Sequence, residues 1–213
     1  ALYGSSGNST NSNVAIGDTA LSNISSGGYS VAIGHQALEG LTSGNYSVGV
    51  GFRAGQYNIG SNNVFVGFSA GNGVSGQSTG GANTIVGREA GSGLTTGVNN
   101  SALGYRAGYG LTTGHSNVLL GLENALTLSI GQYNTTIGQQ ALYSEDVGNF
   151  TTALGYRAGY SQNSDSNNED TGNTLLGAGA GFYNVTGTGN TLVGRQAGNG
   201  ASSNSYSNAT AVG

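Results

Sequence analysis

The sequence predicts an all-β fold: a parallel β-solenoid, or β-roll, of about twelve coils, each about 17 residues long. Three observations carry this expectation. First, one short phrase recurs along the whole chain, as N-V-A-I-G-D-T-A-L at 13–21, N-T-I-V-G-R-E-A-G at 83–91 and N-T-L-V-G-R-Q-A-G at 190–198. Its central glycines are Gly17, Gly34, Gly51, Gly67, Gly87, Gly104, Gly121, Gly138, Gly155, Gly177, Gly194 and Gly213, spaced 17, 17, 16, 20, 17, 17, 17, 17, 22, 17 and 19 apart. A fixed period of this length marks stacked coils. Second, the residues before each glycine have strand character. Third, the extra residues fall between Gly71 and Asn83, between Gly159 and Asn173, and after Gly198, all in one turn of the repeat, as a solenoid tolerates.

Each element follows from alignment on the glycine. The residue just before it is Ile, Val or Leu in every repeat, from Ile16 to Val212. Two positions earlier stand Val14, Val31, Val48, Val64, Thr84, Ser101, Val118, Thr135, Thr152, Thr174, Thr191 and Thr210. Alternating β-branched residues make a short strand. These two columns are expected to point into the coil, with Ile33 and Ile137 fully buried. The residue between them is then expected to point outward. Ten of those twelve are apolar, so Phe65, Ile85, Leu119, Leu175 and Leu192 form a candidate self-association stripe needing cover from another chain or layer.

The position four before the glycine is Asn in eight repeats, which suits either a stacked amide ladder or a strand-opening turn. Ala follows the glycine by three in ten repeats, with Ala125 displaced by one. A small residue there implies a tight corner. Ile24, Leu41, Val74 and Val185 recur beyond it as expected second inward anchors. The chain opens with Ala1-Leu2-Tyr3, the tail of a motif, and stops at Gly213 within one. The whole of 1–213 reads as a single repeat array, expected to be a slice of a longer fibre.

Composition bounds the chemistry. With 42 Gly, no Pro, Cys, Met or Trp and 7% charged residues, the chain has no disulfide framework and no thiolate metal site. Five Arg, no Lys and a net charge of −4 make nucleic acid a poor partner. No apolar run reaches the roughly 18 residues of a membrane span.

The segments Y-S-V-A-I-G at 29–34 and N-V-A-I-G at 13–17 resemble the head repeats of YadA-like trimeric autotransporter adhesins, and are similar to shaft repeats of phage or viral tail fibres. The resemblance covers nearly the whole chain. It implies a β-roll of three identical chains around an axis, placed outside the cell or on a virion. It also implies a role as shaft or attachment surface, with a host-cell glycan or surface protein as partner.

All five arginines, Arg53, Arg88, Arg106, Arg157 and Arg195, occupy the two positions after the glycine, as does His35. Tyrosines join them in two copies of one segment, Gly104-Tyr105-Arg106-Ala107-Gly108-Tyr109 and Gly155-Tyr156-Arg157-Ala158-Gly159-Tyr160. Tyr and Arg are favoured at recognition surfaces. These residues form a candidate binding edge, or alternatively a solubilising or packing edge. Catalysis is not expected. Glu89 and Glu123 share the same slot two coils apart, about 10 Å, with no pocket implied. Asp165, Glu169 and Asp170 have oxygen ligands for Ca²⁺ but lack a calcium-roll motif, and His35 and His115 are too sparse for zinc. No metal or cofactor is expected. Among the N-x-[ST] sequons, Asn23, Asn45 and Asn184 are candidate glycosylation sites in turns, whereas Asn134 is expected to be structural. Binding to ice would need a regular Thr array on an exposed face, and here the Thr column is expected to point inward.

Overall fold

A computed structural model describes residues 12–166, 169–200 and 205–213. The N-x-[ST] sequon at Asn8 and the opening Ala1-Leu2-Tyr3 lie outside them. Twelve three-residue strands, from Val14–Ile16 to Thr210–Val212, form one parallel sheet in strict sequence order. Each strand pairs in register with the next, so Val14 faces Val31 and Ile16 faces Ile33. The fold is therefore a β-solenoid with one short strand per coil. The described residues contain no helix long and apolar enough to cross a membrane.

Left-handed backbone makes the corners. The central glycines from Gly17 to Gly194 have φ between 123° and 142°. A Cβ on any of the eleven from Gly17 to Gly194 would strike the carbonyl of the next coil's glycine. Only glycine fits such a backbone at such an approach. Two residues later the chain turns again through Thr19, Gln36, Arg53, Glu89, Arg106, Gln140 and Arg157, all at φ of 53–57°. The residue after the corner Ala turns a third time, as in Leu38, Gly55, Gly108 and Leu142.

The strand faces are the reverse of the sequence expectation. The middle residue of each strand points into the coil: Ala32, Phe65, Ile85, Leu119, Leu175 and Leu192 are fully buried by their own chain. The candidate self-association stripe is thus the core. The flanking columns point outward, leaving Ile33 38%, Ile137 43%, Leu103 50% and Ile16 59% exposed. An Ile137→Asp substitution should therefore place a carboxylate on the surface of the single chain and leave its coils formed. Periodicity of two defines two faces without saying which is inside, and both faces here are apolar.

Size compensation settles the matter physically. The coil is so thin that the strand's middle residue meets the residue after the previous coil's corner Ala. Small strand residues oppose large ones: Gly49 sits against Leu38, so closely that a Cβ on Gly49 would lie 2.7 Å from Leu38 Cγ. Large strand residues oppose glycine: a Cβ on Gly55 would strike the Phe65 ring, and one on Gly108 or Gly159 would come within 2.7 Å of Leu119 or Leu175. This interdigitation is the close packing that protein interiors require.

Beyond the corner, Ile24, Leu41, Leu94, Leu111 and Leu128 form the second inward anchor. Val74 is instead 39% exposed, because the insertion after Gly71 carries Ser78 into the interior. Asn184, not Val185, is the buried residue of its turn. Among the described residues the apolar core falls into two clusters, one ending at Leu128 and one starting at Ala141. Between them the buried strand centre is Thr136, and one coil earlier Asn124 replaces the corner Ala. Its amide nitrogen donates to the Gly138 carbonyl at 2.9 Å, and its Oδ1 accepts from the inward Thr136 hydroxyl. Further along, Glu145 occupies an anchor position. Its Oε1 accepts from the backbone N–H groups of Asp146, Val147, Gly148 and Ser164, and its Oε2 accepts from Gln162 and Ser164 side chains. A buried carboxylate is tolerable only when so satisfied.

The Asn column is an amide ladder. Each amide nitrogen of Asn83, Asn100 and Asn117 donates to the Oδ1 of the Asn one coil earlier, at 3.2, 3.1 and 3.0 Å. The same nitrogens donate to the turn carbonyls Gly97, Gly114 and Gly131. The ladder fastens strand to turn within the core. Asn134, fully buried, continues it.

Candidate binding edge

The two residues after each central glycine line one longitudinal edge, because the left-handed second residue throws its side chain outward between coils. Side chains then bond along the solenoid axis. Gln36 accepts from Arg53 Nε at 2.8 Å, Glu89 from Arg106 Nε at 2.6 Å, and Gln140 from Arg157 Nε at 2.8 Å. Aromatic rings stack beside them one coil apart: His35–Phe52–Phe68 at 5.2 and 5.1 Å, and Tyr143–Tyr160–Phe182 at 5.0 Å each. Arginines lie over these rings, Arg106 between Tyr105 and Tyr109 at 5.2 and 5.3 Å, Arg157 between Tyr156 and Tyr160 at 5.1 Å each. Cation–π contact of this kind is favourable even at exposed sites.

The structure thus brings Arg53, Arg88, Tyr105, Arg106, Tyr109, Tyr156, Arg157, Tyr160 and Arg195 onto one edge. Their charges are not equally free. Arg88 and Arg106 both pair with Glu89, at 3.3 and 2.6 Å. The Arg106 hydrogen bond holds the Glu89 carboxyl below the usual carboxylate range, and Glu89 in turn raises Arg106. Arg53, Arg157 and Arg195 have no ion pair among the described residues.

The other candidate residues fall elsewhere. Glu89 is taken up by its two arginines, and Glu123 accepts from Gln140 at 2.9 Å. His35 pairs with Asp18 at 3.4 Å and stacks on Phe52. Asp165 and Asp170 are exposed while Glu169 is half-buried. Burial, with Asp165 and Glu145 nearby, pushes the Glu169 carboxyl up. Among the described residues no group of three His, Cys, Asp or Glu could hold a metal ion. Asn23 is exposed; Asn45 is half-buried, its Oδ1 accepting from Gly28 N–H. Asn184 is fully buried with its amide nitrogen on the Gly187 carbonyl, so its folded turn offers no acceptor for a glycan.

Two surfaces escaped the sequence reading. One is the outward strand face, twelve strands long, with one column of Ile, Val and Leu beside one of Val, Thr and Ser. The signal for it was the size compensation between neighbouring coils. The other is a notch in the edge at Ala178-Gly179, where the aligned slot lacks long side chains. Comparison with protein-family models, curated proteins and solved structures gave no match.

Proposed function

We propose that this chain is a segment of a non-enzymatic extracellular structural fibre, on a cell or virion surface, serving as shaft and attachment surface. The outward strand face carries the reading. Its columns run from Val14 and Ile16 to Thr210 and Val212 without one charged residue. The column from Ile16 to Val212 is aliphatic in every strand, and an outward apolar stripe of this length favours association with copies of itself. Trimeric packing places such faces around a common axis, as in the adhesin heads the repeats resemble. The Tyr- and Arg-bearing edge stays outside the assembly, available to a host-cell glycan or surface protein. A phage or viral tail-fibre shaft fits the same design, as does a filament with no specific ligand.

The test is oligomeric state. Wild-type protein should sediment as an oligomer, and Leu103→Asp with Ile137→Asp should release folded monomers. A monomeric wild type at micromolar concentration would rule out self-association.

One observation favours a second reading. Thr135, Thr152, Thr174, Thr191 and Thr210 are consecutive in an outward column, each beside an outward aliphatic residue. Their spacing of about 4.8 Å is near the lattice repeat of ice, and methyl-plus-hydroxyl rows suit ordered water. Thermal hysteresis in the wild type, lost on Thr152→Lys, would support it, while its absence leaves the fibre reading alone.

A further inference from the structure

On three adjacent coils the edge reads Tyr156-Arg157, Ala178-Gly179 and Arg195-Gln196. The middle coil lacks the side chains that fill this slot elsewhere. In the His35–Phe52–Phe68 stack, successive coils each supply a ring about 5 Å from the last. Here Ala178 supplies nothing to stack on Tyr156, and the gap is a cavity of about 270 Å³. Tyr156 and Arg157 bound it on one side and Arg195 and Gln196 on the other, two coils or about 10 Å apart. Phe182 and Tyr183, in edge contact at 4.8 Å, close its flank. No Asp or Glu lines it. Both arginines lack an ion pair among the described residues, in a chain whose net charge is −4.

We infer that this notch binds a saccharide bearing a carboxylate. The space suits one pyranose ring standing where the missing aromatic would stack, its apolar face against Tyr156. Arg157 is preorganised, its guanidinium held between two rings and its Nε fixed on Gln140. Arg195 approaches from the opposite wall. A carboxylate between two such cations gains charge-assisted, bidentate hydrogen bonds. Gln196 and Asn199 supply neutral donors and acceptors for hydroxyls. The inference rests on the reading of this edge as an attachment surface and names its ligand class.

The experiment is calorimetric titration of the full chain with sialyllactose and with digalacturonate, lactose serving as neutral control. The two acids separate a sialic acid source from a uronic acid source. Binding of at least one, absent for lactose, is expected. Arg195→Gln should weaken it by about 10-fold or more, since hydrogen bonds to charged groups are worth that much. The decisive variant fills the gap: Ala178→Tyr with Gly179→Arg copies the neighbouring coil. A Cβ on Gly179 meets nothing closer than 3.6 Å, and its φ of 68° lies near that of the arginines in the same slot. Melting temperature should therefore hold while binding disappears. Equal binding of lactose, unchanged binding by the filled variant, or no binding of either acid at millimolar concentration would overturn the notch. Attachment to host cells by the filled variant as strong as wild type would do the same while leaving the edge reading intact. That broader reading fails separately, if Arg53→Ser with Arg106→Ser and the filled variant together leave cell attachment unchanged.

Discussion

The same six residues, Gly-Tyr-Arg-Ala-Gly-Tyr, occur at 104–109 and 155–160, and the structure folds them alike. Their first glycines have φ of 140° and 142°, their arginines 53° and 54°. Each arginine lies between two tyrosine rings at nearly equal distances. What differs is the neighbour. One coil earlier, Arg106 meets the carboxylate of Glu89, whereas Arg157 meets the neutral amide of Gln140. One coil later stand Leu122-Glu123 beside the first copy and Ala178-Gly179 beside the second. In a solenoid, then, the repeat sets the shape of a coil, and the adjoining coils set its charge and access. One copy is an ion-paired ladder; the other is an open cationic notch.

The largest effect expected should leave this contrast untouched. Gly104→Ala and Gly155→Ala each force a Cβ onto the next coil's carbonyl at a left-handed φ. Both should cost about 2–4 kcal/mol in chemical denaturation. Unequal losses would mean that the copies are not equivalent in backbone.

A smaller effect probes the packing beneath them. Gly108→Leu should destabilise by about 1–3 kcal/mol through overpacking against Leu119. Leu119→Ala in the same chain should restore most of that, because the equivalent positions two coils on carry Leu142 and Ala153, both buried in one cluster. A double variant no better than the sum of the single ones would refute size compensation.

The smallest effect separates the edges by charge. Glu89→Gln gives the first copy the neutral partner of the second and should change melting by little, since exposed pairs are weak and screened. The sign with pH is fixed. The Glu89 carboxyl is held low in the folded chain, so its contribution is present above the ordinary carboxylate range. It is lost as pH falls through the folded value. Melting curves of wild type and Glu89→Gln should therefore converge in acid; a gap that widens there would contradict the pairing.

Much of this fold was legible from sequence. Glycine spacing gave coil number and register, and the Asn column left open an amide ladder or a strand-opening turn, of which the structure forms the ladder. The direction of the strands was not legible from alternation, since Val14 and Ile16 look as buriable as Phe65 or Leu119. The answer lay in correlations across coils, Gly49 with Leu38 and Phe65 with Gly55, which a column read alone does not reveal. Insertions hid Val74 from the core, and Asn184 took an anchor place that an aliphatic pattern assigns to Val185. The arginine edge was visible in the alignment. The notch was not, because it is defined by side chains that Ala178 and Gly179 lack.

The central claim is that strand centres face in and strand flanks face out to form an assembly surface. The chain has no cysteine, so a single introduced thiol reports its own surroundings. Labelling rates of Ile137→Cys and Leu119→Cys, followed across protein concentration, test the claim most directly. The thiol at 137 should react fast in dilute protein and become protected as chains associate, while that at 119 stays protected throughout. A reactive thiol at 119 with a protected one at 137 in dilute monomer would contradict the account.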